Sequence, residues 1–218
     1  MRHIMYLHGF ASSPGGRKTT LLKEFLADFD DVNYVVPDLN RPDFAHLTLT
    51  AQLEHIAATV AALPDGPLYP IGSSMGGLAA LHTINRYPQV AERVEKLILL
   101  APALNFLPRW RDRLGDEILT RWREKGTMPF YHFAHEKELP LHYGLIDDLT
   151  RYDDNQLKPT MPVLIFHGKH DESVDYLASV AFADKHTNIE LRLLDADHGL
   201  VEPMPHIMRE IAAFLVLA

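Results

Sequence analysis

The chain contains no cysteine, which excludes a disulfide framework, a thiolate nucleophile, a cysteine-ligated zinc and an iron–sulfur centre. Positive charge is also in short supply, with 21 Lys and Arg against 29 Asp and Glu and a formal net charge of −8. Counterion release onto nucleic acid or an anionic membrane therefore has no global electrostatic basis, and neither is expected as a partner. Long apolar runs are missing: nothing approaches the ~18 uninterrupted apolar residues of a transmembrane helix. Met1-Arg2-His3-Ile4-Met5-Tyr6-Leu7 runs into a glycine turn without the apolar core or small-residue cleavage site of a signal peptide, so a cytoplasmic location is expected. No internal repeat is visible.

What is present suffices for one domain with a sizeable core, since the 218 residues are 47% hydrophobic and a domain usually takes ~100–200 residues. Residues 1–218 read as a single domain, monomeric or homodimeric. Short apolar runs rich in branched residues alternate with longer helical patterns, as strands joined by crossover helices do in a parallel sheet. The runs are Ile4–Leu7, Asn33–Val36, Leu68–Ile71, Val94–Leu100, Val163–His167 and Glu190–Leu194. Apolar spacings of three and four predict helices over Arg17–Asp28, Thr50–Ala62, Met75–Tyr87, Tyr176–Lys185 and Met204–Leu217.

One segment breaks this alternation. Pro102–Pro162 separates the fourth run from the fifth, far more than the dozen or so residues a crossover needs. It reads as an insertion, about 102–160, that forms a lid. In its first half, Trp110, Leu114, Ile118 and Trp122 recur every fourth residue over Arg109–Lys125, predicting one amphipathic helix. Such a stripe also serves simply to pack an insertion onto a sheet. The second half, Met128–Phe133 and Leu139–Gly144, is aromatic and proline-rich and reads as an ordered loop.

Gly72-Ser73-Ser74-Met75-Gly76 follows a strand run and opens a helix, the context a G-x-S-x-G nucleophile elbow requires. Ser74 is the candidate nucleophile; Gly72 and Gly76 leave room where a sharp turn brings backbone close. A helix-capping serine is the plain alternative. A hydroxyl needs a base oriented by an acid. Asp171 follows the fifth run and His198 the sixth, so Ser74, Asp171 and His198 occur in the chain order this arrangement uses and sit where open parallel sheets place their sites. The segment Ala101-Pro102-Ala103-Leu104-Asn105 after the fourth run offers no carboxylate, which leaves Asp171 by elimination. Among 13 histidines, His198 is selected by position. His167 and His170 lie beside the acid, and Asp195 and Asp197 read as turn residues. Two backbone N–H groups must face the developing oxyanion; Met75 supplies one and Phe10 the other, with His8 and Gly9 shaping the turn.

Two other chemistries are weaker. Gly15-Gly16-Arg17-Lys18-Thr19 is not a P-loop, because Arg17 stands where glycine must precede the lysine. A helix start with Arg17 and Lys18 nearby remains a minor lead for holding a phosphate. His132 with His135, or His167 with His170, lacks the third ligand a catalytic zinc needs. No metal and no cofactor is called for.

Together Tyr6-Leu7-His8-Gly9-Phe10, Gly72-Ser73-Ser74-Met75-Gly76, His167-Gly168 leading to Asp171, and Asp197-His198-Gly199 resemble an α/β-hydrolase. The opening Tyr-Leu-His-Gly-Phe-Ala-Ser-Ser-Pro and the small size are similar to compact bacterial esterases of the YqiA/YcfP type. The resemblance implies a six-stranded, mostly parallel sheet in the order 2-1-3-4-5-6 with helices on both faces. It also implies a serine carboxylesterase acting on small to medium acyl esters. The alternatives are an acyl thioesterase using the same residues on a carrier or coenzyme A ester, and a non-catalytic ligand-binding member of the fold.

Overall fold

The computed structural model describes residues 1–217. Its main sheet contains β1 (Arg2–Leu7), β2 (Val32–Val35), β3 (Leu68–Ser73), β4 (Leu97–Leu100), β7 (Val163–Gly168) and β8 (Ile189–Leu194), in the order β2-β1-β3-β4-β7-β8 with every pair parallel. This is the expected 2-1-3-4-5-6 order once the two strands of the insertion, β5 (Thr127–His132) and β6 (Lys137–His142), are passed over. The fourth strand is shorter than Val94–Leu100: Val94 makes only an isolated bridge to Leu68, and the ladder begins at Leu97.

Alternation along the central strands divides the core between the two faces of the sheet. Met5, Leu7, Leu97, Leu99, Val163 and Ile165 pack on one face with α2 (Leu49–Ala62) and α3 (Met75–Arg86). Ile4, Tyr6, Ile98, Leu100, Leu164 and Phe166 pack on the other with α1 (Arg17–Leu26) and α8 (Met204–Leu215). Full burial on both faces is what a continuous branched-aliphatic run in a parallel sheet provides, at about 1.5–3 kcal/mol per large apolar side chain. A single turn, α4 (Pro88–Ala91), and α7 (Tyr176–Ala183) complete the crossovers. No described helix is long and apolar enough to cross a membrane.

The insertion differs from its expected form twice. The stripe from Trp110 to Trp122 does not run along one straight helix: α5 (Phe106–Lys125) is broken at Gly115, whose φ of 75° and ψ of 159° are non-helical. Glycine alone adopts that conformation without strain. The proline-rich second half is an antiparallel ribbon, β5–β6, with Pro129 opposite Pro140, followed by α6 (Gly144–Leu149) and a 3₁₀ turn at Asp154–Gln156. His142 sends its N–H outward to Ala45 O at 2.8 Å. Pro140, two residues earlier on the same edge, therefore sits where no ladder bond is asked of it.

Candidate active site

The strands from β1 to β8 end within three residues of one another: Leu7 pairs with Gly72, Ser73 with Leu100, Leu100 with Phe166 two residues before the end of β7, and Gly168 with Leu194. The loops that leave these ends carry Phe10, Ser74, Asp171 and His198, so residues remote in sequence meet along one edge. Ser74 has φ 52° and ψ −120°, a conformation a non-glycine residue holds only when its surroundings impose it. Its N–H donates to Leu100 O at 2.9 Å, and its carbonyl accepts from Gly77, Leu78 and Ala103. Space for the turn depends on Gly76, where a Cβ would lie 2.1 Å from Leu7 O and 2.5 Å from His8 O. Although Ser74 stands at the N-cap of α3, its side chain makes no capping bond, so the capping reading does not hold.

The freed Ser74 Oγ lies 3.1 Å from His198 Nε2, and His198 Nδ1 lies 2.7 Å from Asp171 Oδ2. Nδ1 faces a carboxylate and so carries the proton, which leaves the Nε2 lone pair directed at the serine hydroxyl. The Asp171 side chain has no exposure, while that of His198 keeps 28%. Burial alone would raise the Asp171 carboxyl, but the hydrogen bonds it accepts outweigh that cost and hold it well below the usual carboxylate range. Oδ2 accepts from both His198 and His167 Nε2 (3.1 Å), and Oδ1 accepts from the N–H groups of Ser173 and Val174 at 2.8 and 2.7 Å.

His167, which the sequence places beside the acid and not in the base position, is a second histidine on it. Its Nε2 faces Asp171 and Val174 O, and its Nδ1 meets Ser179 Oγ at 2.8 Å. The sequence carries a signal for it: a histidine near the end of an apolar strand, with aspartate four residues on, needs partners for both ring nitrogens once buried. His170 lies outside this group and pairs with Asp195, while Asp197 accepts from Gly199 N–H at 2.8 Å, as a turn residue does.

The N–H groups of Phe10 and Met75 donate to no acceptor among the described residues. A Cβ on Gly9 would lie 3.2 Å from Ser74 Cβ, which places the turn after β1 against the serine. His8 braces that turn from behind. It is buried, its Nδ1 donates to Gly9 O at 3.0 Å, and its Nε2 accepts from Leu39 N–H at 2.9 Å. Burial lowers its pKa and keeps the ring neutral, as the accepting Nε2 requires.

Ser74 and His198 open onto a cavity of about 620 Å³. Its far wall comes from the insertion and from Phe10, with Trp110 stacked on Phe130 (centroids 5.2 Å apart) and Phe10 edge-on to both. The insertion histidines do not assemble a ligand set: His132 and His135 are 4.4 Å apart between ring centroids, His142 stacks on His46, and among the described residues no three ligand-type side chains converge.

Known proteins with the same layout support the fold. Human mitochondrial palmitoyl-protein thioesterase ABHD10 is 25% identical over 98% of this chain and 70% of its own length. The structure superposes on mouse alpha/beta hydrolase domain-containing protein 10 with a TM-score of 0.80 at 21% identity, covering 98% of this chain and 89% of that one. Est1E from Butyrivibrio proteoclasticus matches with a TM-score of 0.77 at 24% identity, over 99% and 86% respectively. The parallel sheet order and these likenesses together establish the α/β-hydrolase fold. The model of the uncharacterised protein family UPF0227 matches residues 3–216, and the chain belongs to that family.

Proposed function

We propose that the protein is a serine carboxylesterase that hydrolyses small to medium acyl esters through an acyl-enzyme. The observation that carries this reading is the unbroken chain of hydrogen bonds from Ser74 Oγ through His198 to the buried Asp171, opening on an aromatic-walled cavity. Ser74 Oγ attacks the acyl carbonyl carbon while His198 Nε2 takes its proton. The carbonyl oxygen becomes an oxyanion received by the N–H groups of Phe10 and Met75. Collapse of this intermediate expels the alcohol, which takes the proton back from His198 and leaves the acyl group on Ser74. Water, deprotonated by His198, then attacks the acyl-enzyme and releases the acid, returning the proton to Ser74. Asp171 stays ionised throughout, because its four donors stabilise the carboxylate. The insertion acts as a lid whose aromatic side chains hold the acyl group.

The printed name of the human relative supports a second reading, in which the same residues cleave a thioester. Competing rates on oxygen and sulfur esters with the same acyl chain separate the two. The primary test is fluorophosphonate labelling, since the reagent traps activated serines. The expected result is one adduct, located on Ser74 by mass spectrometry and absent from Ser74→Ala, with kcat lowered about 10⁴-fold or more in the variant. An unlabelled, folded wild-type protein would overturn the serine-hydrolase reading and favour a ligand-binding member of the fold.

A further inference from the structure

The charged residues that line the cavity run against the composition of the chain. The protein carries a net charge of −8, yet Arg17, Lys18, Arg109 and Arg113 line the cavity and no Asp or Glu does. Arg17 and Lys18 come from the first turn of α1, and Arg109 and Arg113 from one face of the first segment of α5, so two elements remote in sequence contribute cations to the same space. Arg109 has a partner, Asp175 at 3.6 Å. Arg17, Lys18 and Arg113 make no ion pair or side-chain hydrogen bond among the described residues.

Lys18 is the most sheltered of the three unpaired cations, half-buried where Arg17 and Arg113 are exposed. Desolvation pulls its pKa down to about 8, with the carboxylates of Asp171 and Asp197 pulling the other way. A partly desolvated ammonium with no acceptor from the protein pairs with an anion more favourably than a fully hydrated one. Around it the start of α1 is also open. Gly16 at the N-cap contributes no side-chain cap, and the N–H groups of Lys18 and Thr19 have no acceptor among the described residues. Unpaired helix-start amides and an unpaired ammonium, both beside one cavity, are complementary to an anion.

We infer that the cavity contains an anion subsite, built from Lys18 and the first turn of α1 and faced by Arg109 and Arg113, that selects esters bearing a carboxylate or phosphate group besides the scissile bond. The inference rests on the proposed hydrolase reading for the reaction, but not for the binding. An uncharged acyl chain satisfies the aromatic wall and offers the cations nothing, whereas an acid at the far end of the substrate satisfies both. In the sequence only a helix start with two basic residues is visible; the arginines that face it from the insertion emerge only in the folded chain.

Two arms test it. In the first, kcat/KM is compared for aryl hexanoate and the matching aryl adipate monoester, which place a methyl or a carboxylate at the end of the acyl chain, and for a hexanoate ester of a carboxyphenol, which places the anion on the leaving side. Each rate is normalised to uncatalysed hydroxide hydrolysis. One of the two anionic esters is expected to exceed the neutral one about tenfold or more, and which one does so shows on which side of the scissile bond the subsite lies. Lys18→Met is expected to cut that preference about tenfold and Lys18→Arg to retain most of it. Because the ratio compares substrates sharing one reacting centre, general damage to Ser74, His198 or Asp171 does not move it. A ratio near one for both anionic esters, or one indifferent to Lys18→Met, overturns the inference.

The second arm titrates Ser74→Ala protein with free adipate and neutral hexanamide by calorimetry. Binding of adipate tighter than hexanamide, lost in the Ser74→Ala, Lys18→Met double variant, upholds the subsite even if the wild type proves not to hydrolyse esters. Equal binding of the two overturns it even if Ser74 is labelled.

Discussion

Ser74, Asp171 and His198 hang from parallel strands locked in register at one end of the sheet, whereas Trp110, Trp122 and Phe130 hang from a broken helix and a two-stranded ribbon. At the sheet edge, position is dictated by backbone: ladder register, the strained turn at Ser74 and glycines that admit carbonyls at close range. The ribbon of the insertion is moored by one backbone bond from Phe133 to Ala11 and one from His142 to Ala45. Side chains do the rest. Asp148 accepts from Thr50 N–H and Oγ1 at 2.8 and 2.6 Å, and Asp154 accepts from buried His82 at 2.8 Å and from Asn105 N–H at 2.7 Å. Trp122 Nε1 donates to Leu141 O, tying the helix to the ribbon. A sheet edge built this way holds reacting atoms to fixed separations. On the proposed reading, the insertion shapes what can reach them.

If this division holds, damage to one region should leave the signature of that region alone, and the largest effect belongs to the sheet edge. Asp171→Asn keeps the shape of the side chain but puts an NH₂ group in place of a carboxylate oxygen among four donors. We expect kcat to fall about 10⁴-fold, as loss of the orienting acid does in such triads, with KM little changed in steady-state assays. Stability should respond as well. Because the folded state holds this carboxyl below its ordinary range, its contribution is fully present above the unfolded value of about 3.9 and is lost as pH falls through the folded value. The gap in urea midpoint between wild type and Asp171→Asn should therefore narrow on acidification below about pH 4; a gap that widens there would contradict the four-donor account.

Smaller effects belong to the insertion. Asp154→Ala strips the acceptor from buried His82 and should cost about 1–3 kcal/mol in chemical denaturation, while shifting KM and acyl-chain preference more than kcat. Equal losses in kcat and kcat/KM would mean the insertion positions the reacting groups directly, and the contrast drawn above would fail.

The least effect, and the only stabilising one, is expected at His132. This ring is fully buried against Phe44, with both nitrogens unpartnered, and its pKa is lowered by burial first and then by His135 and His8. His132→Phe should raise stability by about 1 kcal/mol, or a melting temperature higher by about 2–4 °C. Folded His132 resists protonation, so stability in the wild type falls as pH drops below about 6.5, the unfolded value. The advantage of the variant should grow between pH 7 and pH 5.5.

Legibility followed the same boundary. The six strands and five of the helices are legible because alternation and helical spacing are local and strong, whereas the order along the sheet came from the resemblance to α/β-hydrolases. Ser74 was marked by glycines on either side, and Asp171 and His198 by their places after successive strands. Inside the insertion the same rules misled. Spacing by fours implied a continuous helix, and a single glycine gave no reason to expect the break at Gly115. Two prolines argued against strands, yet both occupy edge positions where no N–H is needed. His167 is not singled out by sequence because His198 already satisfies the pattern.

The sequence by itself determined the sheet, the sharp turn at Ser74 and the three side chains that meet along one edge, because each depends on nearest-neighbour backbone geometry repeated strand by strand. Only the tertiary structure decided that His167 shares the acid, that the insertion closes an aromatic wall over Ser74, and that four cations from α1 and α5 line one cavity in an acidic chain. Those outcomes depend on which surfaces face each other after folding, and burial, partnering and the electric field within a cavity are properties of that facing.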